Sequence, residues 1–306
     1  MLLLISQNFS YFGAIQVSKP GFMKEKKFID VDTVITEKAP KLKKWMPKFV
    51  LVWLKQKLHE EEINQLMHEL KDDYGLEFNK KGLEKFGAKI ETVNPHYVPK
   101  TGGIIVAANH PLGGLDGMAL IKAIGDVRSD VRFVVNDVLD NLKNYGDVFV
   151  GVNKITSTSA RSLRVMENIL ISQDAVIFFP AGLVSRKQKG QIKDLSWKKS
   201  FVTQAIDHKR KIIPVFIEGQ NSRFFYRFAN FRKRIGIKAN IEMLFLPDEM
   251  FKQKGHTIKI HFGKPFDSSL LDNTKSHRTW AAHIKQYIYS EEFKKGIPYE
   301  EYIYFG

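Results

Sequence analysis

The chain has 306 residues, of which 43% are hydrophobic, a length and composition that fit one large or two modest globular domains with a sizeable core. It contains no cysteine, which excludes disulfides, thiolate catalysis and zinc sites built on cysteine. Lysine and arginine number 48 against 33 acidic residues, and the formal net charge of +15 favours anionic partners such as anionic lipid, nucleic acid or an acidic carrier protein.

The first part of the chain carries no clear targeting signal. Residues 1–22 lack the basic start and the cleavage site of a signal peptide. We treat them as an N-terminal extension, and the sequence leaves open whether Met1 or Met23 is the true start. The longest apolar runs, such as Phe49–Leu54, are far shorter than the ~20 residues that a membrane-spanning helix needs.

Residues 23–100 are predicted to form a mainly helical N-terminal region. Pro47 precedes the helical segment Lys48–Leu58 and is typical of a helix start or a kink, and a short alternating strand is predicted at Lys89–Val93. The stretch Lys41–Leu58 contains six lysines and three aromatic residues, Trp45, Phe49 and Trp53. This mixture suits a membrane surface, where rings lie at headgroup depth, but it also fits a helix that packs its aromatics into the core.

Residues 101–306 alternate apolar strands with helical stretches and are predicted to form the main domain. The near-continuous runs of valine, isoleucine and phenylalanine predict strands covered on both faces, within an α/β fold that has a mixed, largely parallel sheet flanked by helices. The predicted strands are Gly103–Ala108, Val131–Val135, Val148–Val152, Ala175–Phe179, Lys211–Glu218, Ala239–Leu246 and Thr257–Phe262. The predicted helices are Leu115–Ile124, Ser159–Ile171, Trp197–His208 and His277–Tyr289. In such sheets, ligand sites lie beyond the carboxyl ends of the strands.

The most informative motif follows the first of these strands. His110 precedes Pro111, which biases it away from the helical region, and Gly113 and Gly114 permit a tight turn before Asp116. On a regular helix, residues six apart lie about 240° apart, so only a bend brings the Asp116 carboxylate back to the His110 imidazole. A histidine oriented by a carboxylate serves as a general base, and we predict that both residues are catalytic. The alternative from these residues alone is a strand-end histidine beside a helix-capping aspartate.

Two further strand ends carry polar residues suited to binding a substrate. The segment Asp147–Lys154 is polar at its end. The strand Ala175–Phe179 continues into a loop in which Gly182 lets the backbone approach a ligand closely, and Arg186 is able to bind a phosphate or carboxylate with its planar guanidinium. A solvated basic loop is the alternative for this second segment. The predicted substrate-binding residues are Asn153, Lys154, Pro180, Gly182, Ser185, Arg186 and Lys187.

Two more segments bear on the site. The strand Lys211–Glu218 contains Pro214, which predicts an edge or bulged position because proline donates no ladder hydrogen bond. The segment Arg223–Arg234 mixes phenylalanines with arginines, which suits a membrane interface or single-stranded nucleic acid. No nucleic-acid-binding module is recognisable, so nucleic acid is the less favoured partner. The eight histidines other than His110 show no metal-ligand spacing, and the sequence has neither a GxSxG elbow nor a P-loop.

Taken in order, these blocks resemble the glycerolipid acyltransferase family, the lysophosphatidic-acid-acyltransferase-like enzymes, over residues 100–265. Four blocks carry the resemblance: Asn109-His110…Asp116 looks like the family's His-x4-Asp block, Phe149–Asn153 like its second block, Phe179–Arg186 like its Phe-Pro-Glu-Gly-Thr-Arg-Ser block, and Ile212–Val215 like its proline-containing strand. The branch that acylates lyso-ornithine and related aminolipids, often labelled hemolysin-like, is closer still. Its members share the patterns seen here in Asp194-Leu-Ser-Trp197 and Ile217–Ser222.

The resemblance implies acyl transfer to a lyso-lipid hydroxyl without a covalent enzyme intermediate. His110 would take the proton from the acceptor hydroxyl, Asp116 would orient His110, and the main-chain N–H of Gly182 is a candidate donor to the oxyanion. The acyl donor would be a thioester of acyl carrier protein or coenzyme A, and neither a cofactor nor a metal is expected. The expected setting is the cytoplasmic face of the inner or plasma membrane, with the protein bound peripherally to an anionic surface.

Three departures from the family pattern bear on the acceptor. Five residues rather than four separate His110 from Asp116, Ala181 stands where the family has glutamate, and Arg186 comes two positions later than the family arginine. A lyso-aminolipid or another non-phosphate acceptor therefore fits better than glycerol phosphate. Three alternatives stay open: a lipid-binding protein of the same fold without catalysis, a thioester or phosphoester hydrolase that uses His110 and Asp116, and a nucleic-acid binder.

Overall fold

The computed structural model describes residues 27–38, 40–136, 142–152 and 160–305. Its α-helices are α1 (Val31–Lys38), α2 (Pro40–Trp45), α3 (Lys48–Lys57), α4 (Glu60–Glu69), α5 (Gly75–Phe86), α6 (Gly114–Gly125), α7 (Ala160–Ile171), α8 (Ser200–Asp207), α9 (Arg223–Arg234), α10 (Leu246–Phe251), α11 (His277–Ile288), α12 (Glu291–Lys294) and α13 (Tyr299–Phe305). Its strands are β1 (Lys89–Val93), β2 (Ile104–Ala108), β3 (Val131–Asn136), β4 (Phe149–Val152), β5 (Ala175–Phe178), β6 (Arg186–Gln188), β7 (Gln191–Lys193), β8 (Lys211–Ile217) and β9 (Thr257–Phe262).

The main sheet is mixed and largely parallel, as the sequence predicts. Within the described ranges it has seven strands in the order β1-β9-β8-β2-β5-β3-β4. The five strands from β8 to β4 are parallel, β9 runs antiparallel to β8, and β1 is parallel to β9. The carboxyl ends of β8, β2 and β5 therefore lie side by side in the middle of the strand order. The loops that follow these three strands meet beyond their carboxyl ends.

Helices cover both faces of the sheet. On β2, Ile104, Val106 and Ala108 belong to a core that also contains residues of α5 and α6. The alternating residues, Ile105 and Ala107, belong to a second core with residues of α8 and α11. All five are at most 2% exposed. Burial on both faces explains why this strand reads as a continuous apolar run rather than as an alternation of apolar and polar residues.

The N-terminal region divides into two parts. The strand β1 pairs with β9 in register from Lys89 to Val93, and α5 contributes Phe78 and Leu83 to the core beneath the sheet. The earlier helices pack on one another around a separate small cluster that includes Val31 and Leu58. Residues 75–93 thus help to build the sheet that positions the site, whereas α1 to α3 surround a core of their own.

The prediction of a strand at Ala239–Leu246 is wrong. Ile241–Phe245 form a 3-10 helix that leads directly into α10, and Pro247 lies in the first turn of α10. Two residues of this segment, Met243 and Leu246, pack against a cluster that includes Phe225 of α9. The apolar run that suggests a strand therefore reflects burial against a helix, and a periodicity over so short a segment does not distinguish the two.

Of the two positions predicted for Pro214, the edge is wrong, because β8 lies between β2 and β9, and the irregular position is the one that the structure shows. The strand accommodates its proline at an irregular point. The main chains of Ile212 and Phe266 form an isolated antiparallel bridge by hydrogen bonds. The regular pairing of β8 with β9 begins only at Val215, opposite Phe262. Proline's missing N–H therefore falls where the ladder between β8 and β9 is already interrupted, and an interior strand tolerates it there.

Candidate active site

The turn between β2 and α6 brings a histidine and a carboxylate together. His110 lies two residues beyond the end of β2, and Gly113 has φ +90°, a conformation that glycine adopts without strain. The helix α6 begins at the next residue and carries Asp116 in its first turn. Nδ1 of His110 lies 3.0 Å from Oδ2 of Asp116. The structure therefore places the two predicted catalytic residues in direct contact.

The carboxylate of Asp116 is fully buried and holds the turn as well as the imidazole. Its Oδ2 accepts the main-chain N–H groups of Leu112 at 2.8 Å and of Gly113 at 3.0 Å. Burial raises the pKa of Asp116, whereas hydrogen bonds from His110 and from these two N–H groups oppose the rise. An ionised carboxylate only accepts hydrogen bonds, so when Asp116 is ionised the hydrogen lies on Nδ1 of His110 and Nε2 is the nitrogen that can accept a proton.

An aromatic wall fixes the plane of the His110 ring. The ring stacks on Phe179, the first residue after β5, with centroids 4.4 Å apart and an angle of 18° between the planes. Phe133 of β3 contacts Phe179 edge-on at 5.4 Å. The His110 side chain stays 17% exposed. The imidazole is thus held in one orientation but remains accessible to a substrate.

Asp194 holds the main chain of His110 from the opposite side of the loop. Its buried carboxylate accepts the N–H of His110 at 3.2 Å, the hydroxyl of Ser185 at 2.6 Å and the indole N–H of Trp197 at 2.8 Å. The N–H of Ser185 in turn donates to the carbonyl of His110 at 2.7 Å. Sequence reasoning assigned no role to Asp194, although the Asp194-Leu-Ser-Trp197 pattern, in which a carboxylate and an indole lie three residues apart, was the available signal.

Two asparagines join the loops after β2 and β8. Asn109 exchanges two hydrogen bonds with the main chain of Ile217, at 2.6 and 2.9 Å, which extends the pairing of the two strands beyond the last residue of β2. Asn221 donates its side-chain N–H to the carbonyl of Pro111 at 3.1 Å. Both asparagines are at least 96% buried, since 2% and 4% of their surfaces are exposed. The loop after β8 therefore supports the residue that follows His110.

The predicted substrate-binding residues lie in different surroundings. Pro180 and Ser185 are buried, Gly182 is half-buried, and Lys187 is exposed on the hairpin of β6 and β7. The N–H of Gly182 already donates to the carbonyl of Phe179 at 3.0 Å, so this conformation does not offer it to an oxyanion. Asn153 and Lys154 lie outside the described residues.

Arg186 occupies a buried ion pair. Its guanidinium lies 2.7 Å from Glu242, which also pairs with Arg232 at 2.9 Å, and Glu242 is completely buried. Arg186 also donates to the carbonyl of Val184. Its role as a substrate ligand stays a prediction, but these contacts commit most of the guanidinium to neighbouring residues. The sequence offered no sign of this, because the partner lies 56 residues away.

The described residues contain neither a cluster of metal-ligating side chains nor a helix that could span a membrane. In the four described ranges, no three acidic or histidine side chains come together in a group that could hold a metal ion. In the same ranges, no helix combines the length and the hydropathy required to cross a bilayer.

Comparisons with known proteins bear on this constellation. A family model described as acyltransferase matches residues 33–295. The chain is 42% identical over 262 residues to a lyso-glycine lipid O-acyltransferase of Bacteroides thetaiotaomicron, a match that covers 85% of this chain and 96% of the relative. It is 40% identical over 262 residues to a protein of the same name from Phocaeicola vulgatus, covering 85% and 94%.

Among solved structures, the chain is similar to the 1-acyl-sn-glycerophosphate (LPA) acyltransferase PlsC from Thermotoga maritima. The TM-score is 0.45 and the sequence identity 17%, and the match covers 78% of this chain and 86% of that one. The family model spans most of the chain, and the two curated relatives are at least 40% identical to it over 262 aligned residues, which cover nearly their whole length. The protein belongs to the acyltransferase family and is an acyltransferase.

Proposed function

We propose that the protein is a peripheral membrane O-acyltransferase that moves a fatty acyl group from a thioester to the hydroxyl of a lyso-aminolipid. The proposed acceptor is a lyso-lipid with a glycine head group, the lipid for which both curated relatives are named. The observation that carries the proposal is the 3.0 Å contact between His110 and the buried carboxylate of Asp116. Acyl carrier protein and coenzyme A are the two proposed carriers of the thioester.

The proposed reaction uses His110 as general base and then as general acid. Nε2 of His110 takes the proton of the acceptor hydroxyl, and the oxygen forms a bond to the thioester carbonyl carbon. The tetrahedral intermediate then collapses, the carbon–sulfur bond breaks, and the sulfur leaves as a thiolate. The imidazolium returns its proton to the thiolate, so the products are one ester and one thiol. Asp116 stabilises the imidazolium while it carries the proton, since the carboxylate accepts from Nδ1.

The proposed membrane contact rests on aromatic residues of α2, α3 and α9 together with Phe245. Trp53 of α3 packs edge-on against Phe245 at 6.2 Å, and Phe245 packs against Phe224 and Phe228 of α9 at 5.1 and 5.4 Å. The two cation-and-aromatic segments of the sequence therefore meet at Phe245. The aromatic face, as we define it, consists of Trp45, Phe49, Trp53, Phe224, Phe228, Phe231 and Phe245.

The exposure and charge of this face favour a lipid surface over a core contact. Trp45 is 83% exposed, Phe49 74% and Phe231 57%, although buried aromatics normally stabilise a fold. The same helices carry exposed cations: Lys44, Lys48, Lys233 and Arg234. Aromatic rings at headgroup depth and cations near anionic lipid, worth about 1 kcal/mol each, would hold the protein at the cytoplasmic surface where its lipid acceptor lies.

The test measures thiol release from acyl-carrier-protein and acyl-coenzyme-A thioesters, with and without a lyso-glycine lipid, for the wild type and for His110→Ala. We expect release that requires the acceptor and is matched by equal amounts of acylated lipid. We expect His110→Ala to lower kcat by about 100- to 10,000-fold, the usual contribution of a general base. His261→Ala is the matched control, because His261 lies on β9, outside the turn, and pairs with Glu218, the residue after β8.

The remaining alternatives predict different results in the same assay. Release without acceptor that His110→Ala abolishes would indicate a hydrolase rather than a transferase. Lipid binding without release from either thioester would indicate a non-catalytic lipid-binding protein. Release that His110→Ala leaves unchanged would contradict the assigned base.

A further inference from the structure

A cavity of about 640 Å³ lies beside the candidate active site. Three elements enclose it: the beginning of α9, the β6–β7 hairpin and the end of α10. Its lining includes Lys187, Asn221, Ser222, Arg223, Arg227 and Glu249. The cavity is linked to the catalytic turn through Asn221, whose side chain donates to the carbonyl of Pro111 at 3.1 Å. A ligand in this cavity would therefore lie next to the loop that holds His110.

The cavity carries an excess of positive charge. Lys187, Arg223 and Arg227 are exposed, and none of them forms an ion pair with another described residue. The fourth cation of the lining, Lys252, is neutralised by Glu249 at 2.6 Å, and the buried Glu249 also accepts the hydroxyl of Ser222 at 2.7 Å. Three unpaired cations thus surround one cavity, and unpaired cations of this kind attract an anionic group.

The local backbone adds to this potential. The helix α9 has twelve residues and begins at Arg223, with Ser222 as its N-cap. The positive end of the helix dipole therefore points toward the cavity lining. Asn221, which is 4% exposed, has a side-chain oxygen that receives no hydrogen bond from any residue the structure describes. A ligand with both an anionic group and an N–H or O–H donor would match this combination.

We infer that this cavity binds the anionic head group of the acceptor lipid, a single carboxylate in the case of a glycine joined to its acyl chain through the amine. The inference rests on the proposed function and assigns the head-group site of that same reaction. Because Arg186 is committed to Glu242, the acceptor's charge needs other partners. Arg223 and Arg227 lie one helical turn apart, a spacing at which both guanidiniums reach one carboxylate.

The position of α9 also explains how a lipid reaches the turn. Phe224 and Phe228 of this helix belong to the aromatic face, whereas Arg223 and Arg227 line the cavity. A lipid whose acyl chain lies in the bilayer beneath the aromatic face would find the cavity on the neighbouring side of the same helix. The head group would then sit in the cavity, and the hydroxyl to be acylated would extend toward His110.

The test compares two acceptors that differ only in charge: a lyso-glycine lipid with a free carboxylate and its neutral carboxamide. We expect the wild type to prefer the carboxylate. The double variant Arg223→Ala/Arg227→Ala should lower kcat/KM for the carboxylate by about 10- to 100-fold, mainly through KM, which is the effect of losing charge-assisted hydrogen bonds. The preference should fall toward unity, and the lysine double variant should restore part of it. Arg278→Ala, an exposed arginine on α11, is the charge-matched control.

Two results of this kinetic comparison would overturn the inference. An equal loss of kcat/KM with both acceptors would mean that the arginines do not bind the carboxylate. A rise in KM for the thioester donor alone would assign the cavity to the phosphate of the donor.

Binding of a short-chain, soluble N-acylglycine to His110→Ala protein, measured by calorimetry, separates this inference from the proposed function. Binding that the arginine double variant abolishes supports the cavity even if the wild type acylates no lipid, and unchanged binding contradicts it.

Discussion

The main-chain N–H of His110 donates to the carboxylate of Asp194 at 3.2 Å, across 84 residues of sequence. The same carboxylate accepts from Ser185 and Trp197, and the N–H of Asp194 donates to the hydroxyl of Tyr289 at 3.0 Å. His110 is therefore fixed twice, at its ring by Asp116 and at its backbone by Asp194. In the proposed reaction the two carboxylates have different tasks: Asp116 orients the ring and stabilises the imidazolium, and Asp194 sets the position of the main chain of His110.

Asp194→Asn should damage catalysis by displacing His110. An amide in place of the carboxylate turns one acceptor into a donor, so one of the N–H groups that Asp194 receives is left unpaired, at a cost of about 1–3 kcal/mol in unfolding free energy. We expect kcat to fall by about 10- to 100-fold with KM little changed, since small shifts of a catalytic group are costly. Steady-state kinetics and urea unfolding measure the two effects.

Trp197→Phe is the control for that variant, because it removes one donor to Asp194 but leaves the contact with His110 in place. We expect it to lower the stability without a comparable loss of kcat. If Asp194→Asn and Trp197→Phe reduce kcat equally, the positioning role of Asp194 is wrong and the cluster acts only through stability.

Gly117→Ala should disturb the first turn of α6, whereas Gly114→Ala should not. A Cβ at Gly117 would lie 2.8 Å from Cε1 of Phe133, which holds Phe179 against His110. A Cβ at Gly114 would meet nothing within 4 Å. We expect Gly117→Ala to lower the unfolding free energy by about 1–3 kcal/mol and to reduce kcat, and Gly114→Ala to change stability by less than about 0.5 kcal/mol. Thermal unfolding of both variants at one pH measures their losses of stability. Equal losses would contradict the predicted clash with Phe133.

The turn that joins His110 to Asp116 could be predicted from sequence because its determinants are local. Pro111, Gly113 and the six-residue separation of His110 from Asp116 force a bend, and the structure has that bend. The parallel order of the central strands follows from their apolar runs for a similar reason, since burial on both faces leaves a signature within each strand. Both features can be predicted from a short segment of sequence, without knowing which distant residues pack against it.

The features that sequence reasoning missed depend on distant partners. Arg186 resembles a free ligand for anions until Glu242 is placed beside it, and Pro214 alone does not show whether its strand is an edge strand or has an interrupted ladder. The segment Ala239–Leu246 has the composition of a strand, but the place beside β8 is occupied by β9. In each case the deciding contact comes from another part of the chain, and no local pattern encodes it.

Asp116→Asn tests the electrostatic cost of the buried carboxylate. Burial raises the pKa of Asp116, so between the ordinary value of about 3.9 and the raised value the folded protein binds more protons than the unfolded chain. The stability that Asp116 contributes is therefore greatest at acidic pH and declines as the pH rises through this window. We expect the unfolding free energy of Asp116→Asn, relative to the wild type, to increase as the pH rises above the ordinary pKa of a carboxyl group.

Urea unfolding of both proteins across that range measures the trend. Asp126→Asn is the control, because Asp126 is exposed just beyond α6 and pairs only with Lys122 there among the described residues. A difference between Asp116→Asn and wild type that is constant with pH, or that falls as the pH rises, would contradict a raised pKa at Asp116.

The aromatic face predicts how the protein binds membranes. Trp45→Ala/Phe49→Ala should weaken binding to vesicles of anionic phospholipid by at least about 10-fold, because each ring contributes apolar area at headgroup depth. The unfolding free energy should change by less than about 0.5 kcal/mol, since both side chains are exposed. Tyr304→Ala, which removes a ring that is 86% exposed at the other end of the chain, should leave vesicle binding unchanged.

Co-sedimentation with vesicles in a salt series measures the electrostatic and the apolar contribution to membrane binding. Added salt should weaken the binding of the wild type, while the loss caused by the double variant should persist at every salt concentration. Equal vesicle binding by the wild type and the double variant would place the membrane contact on another surface.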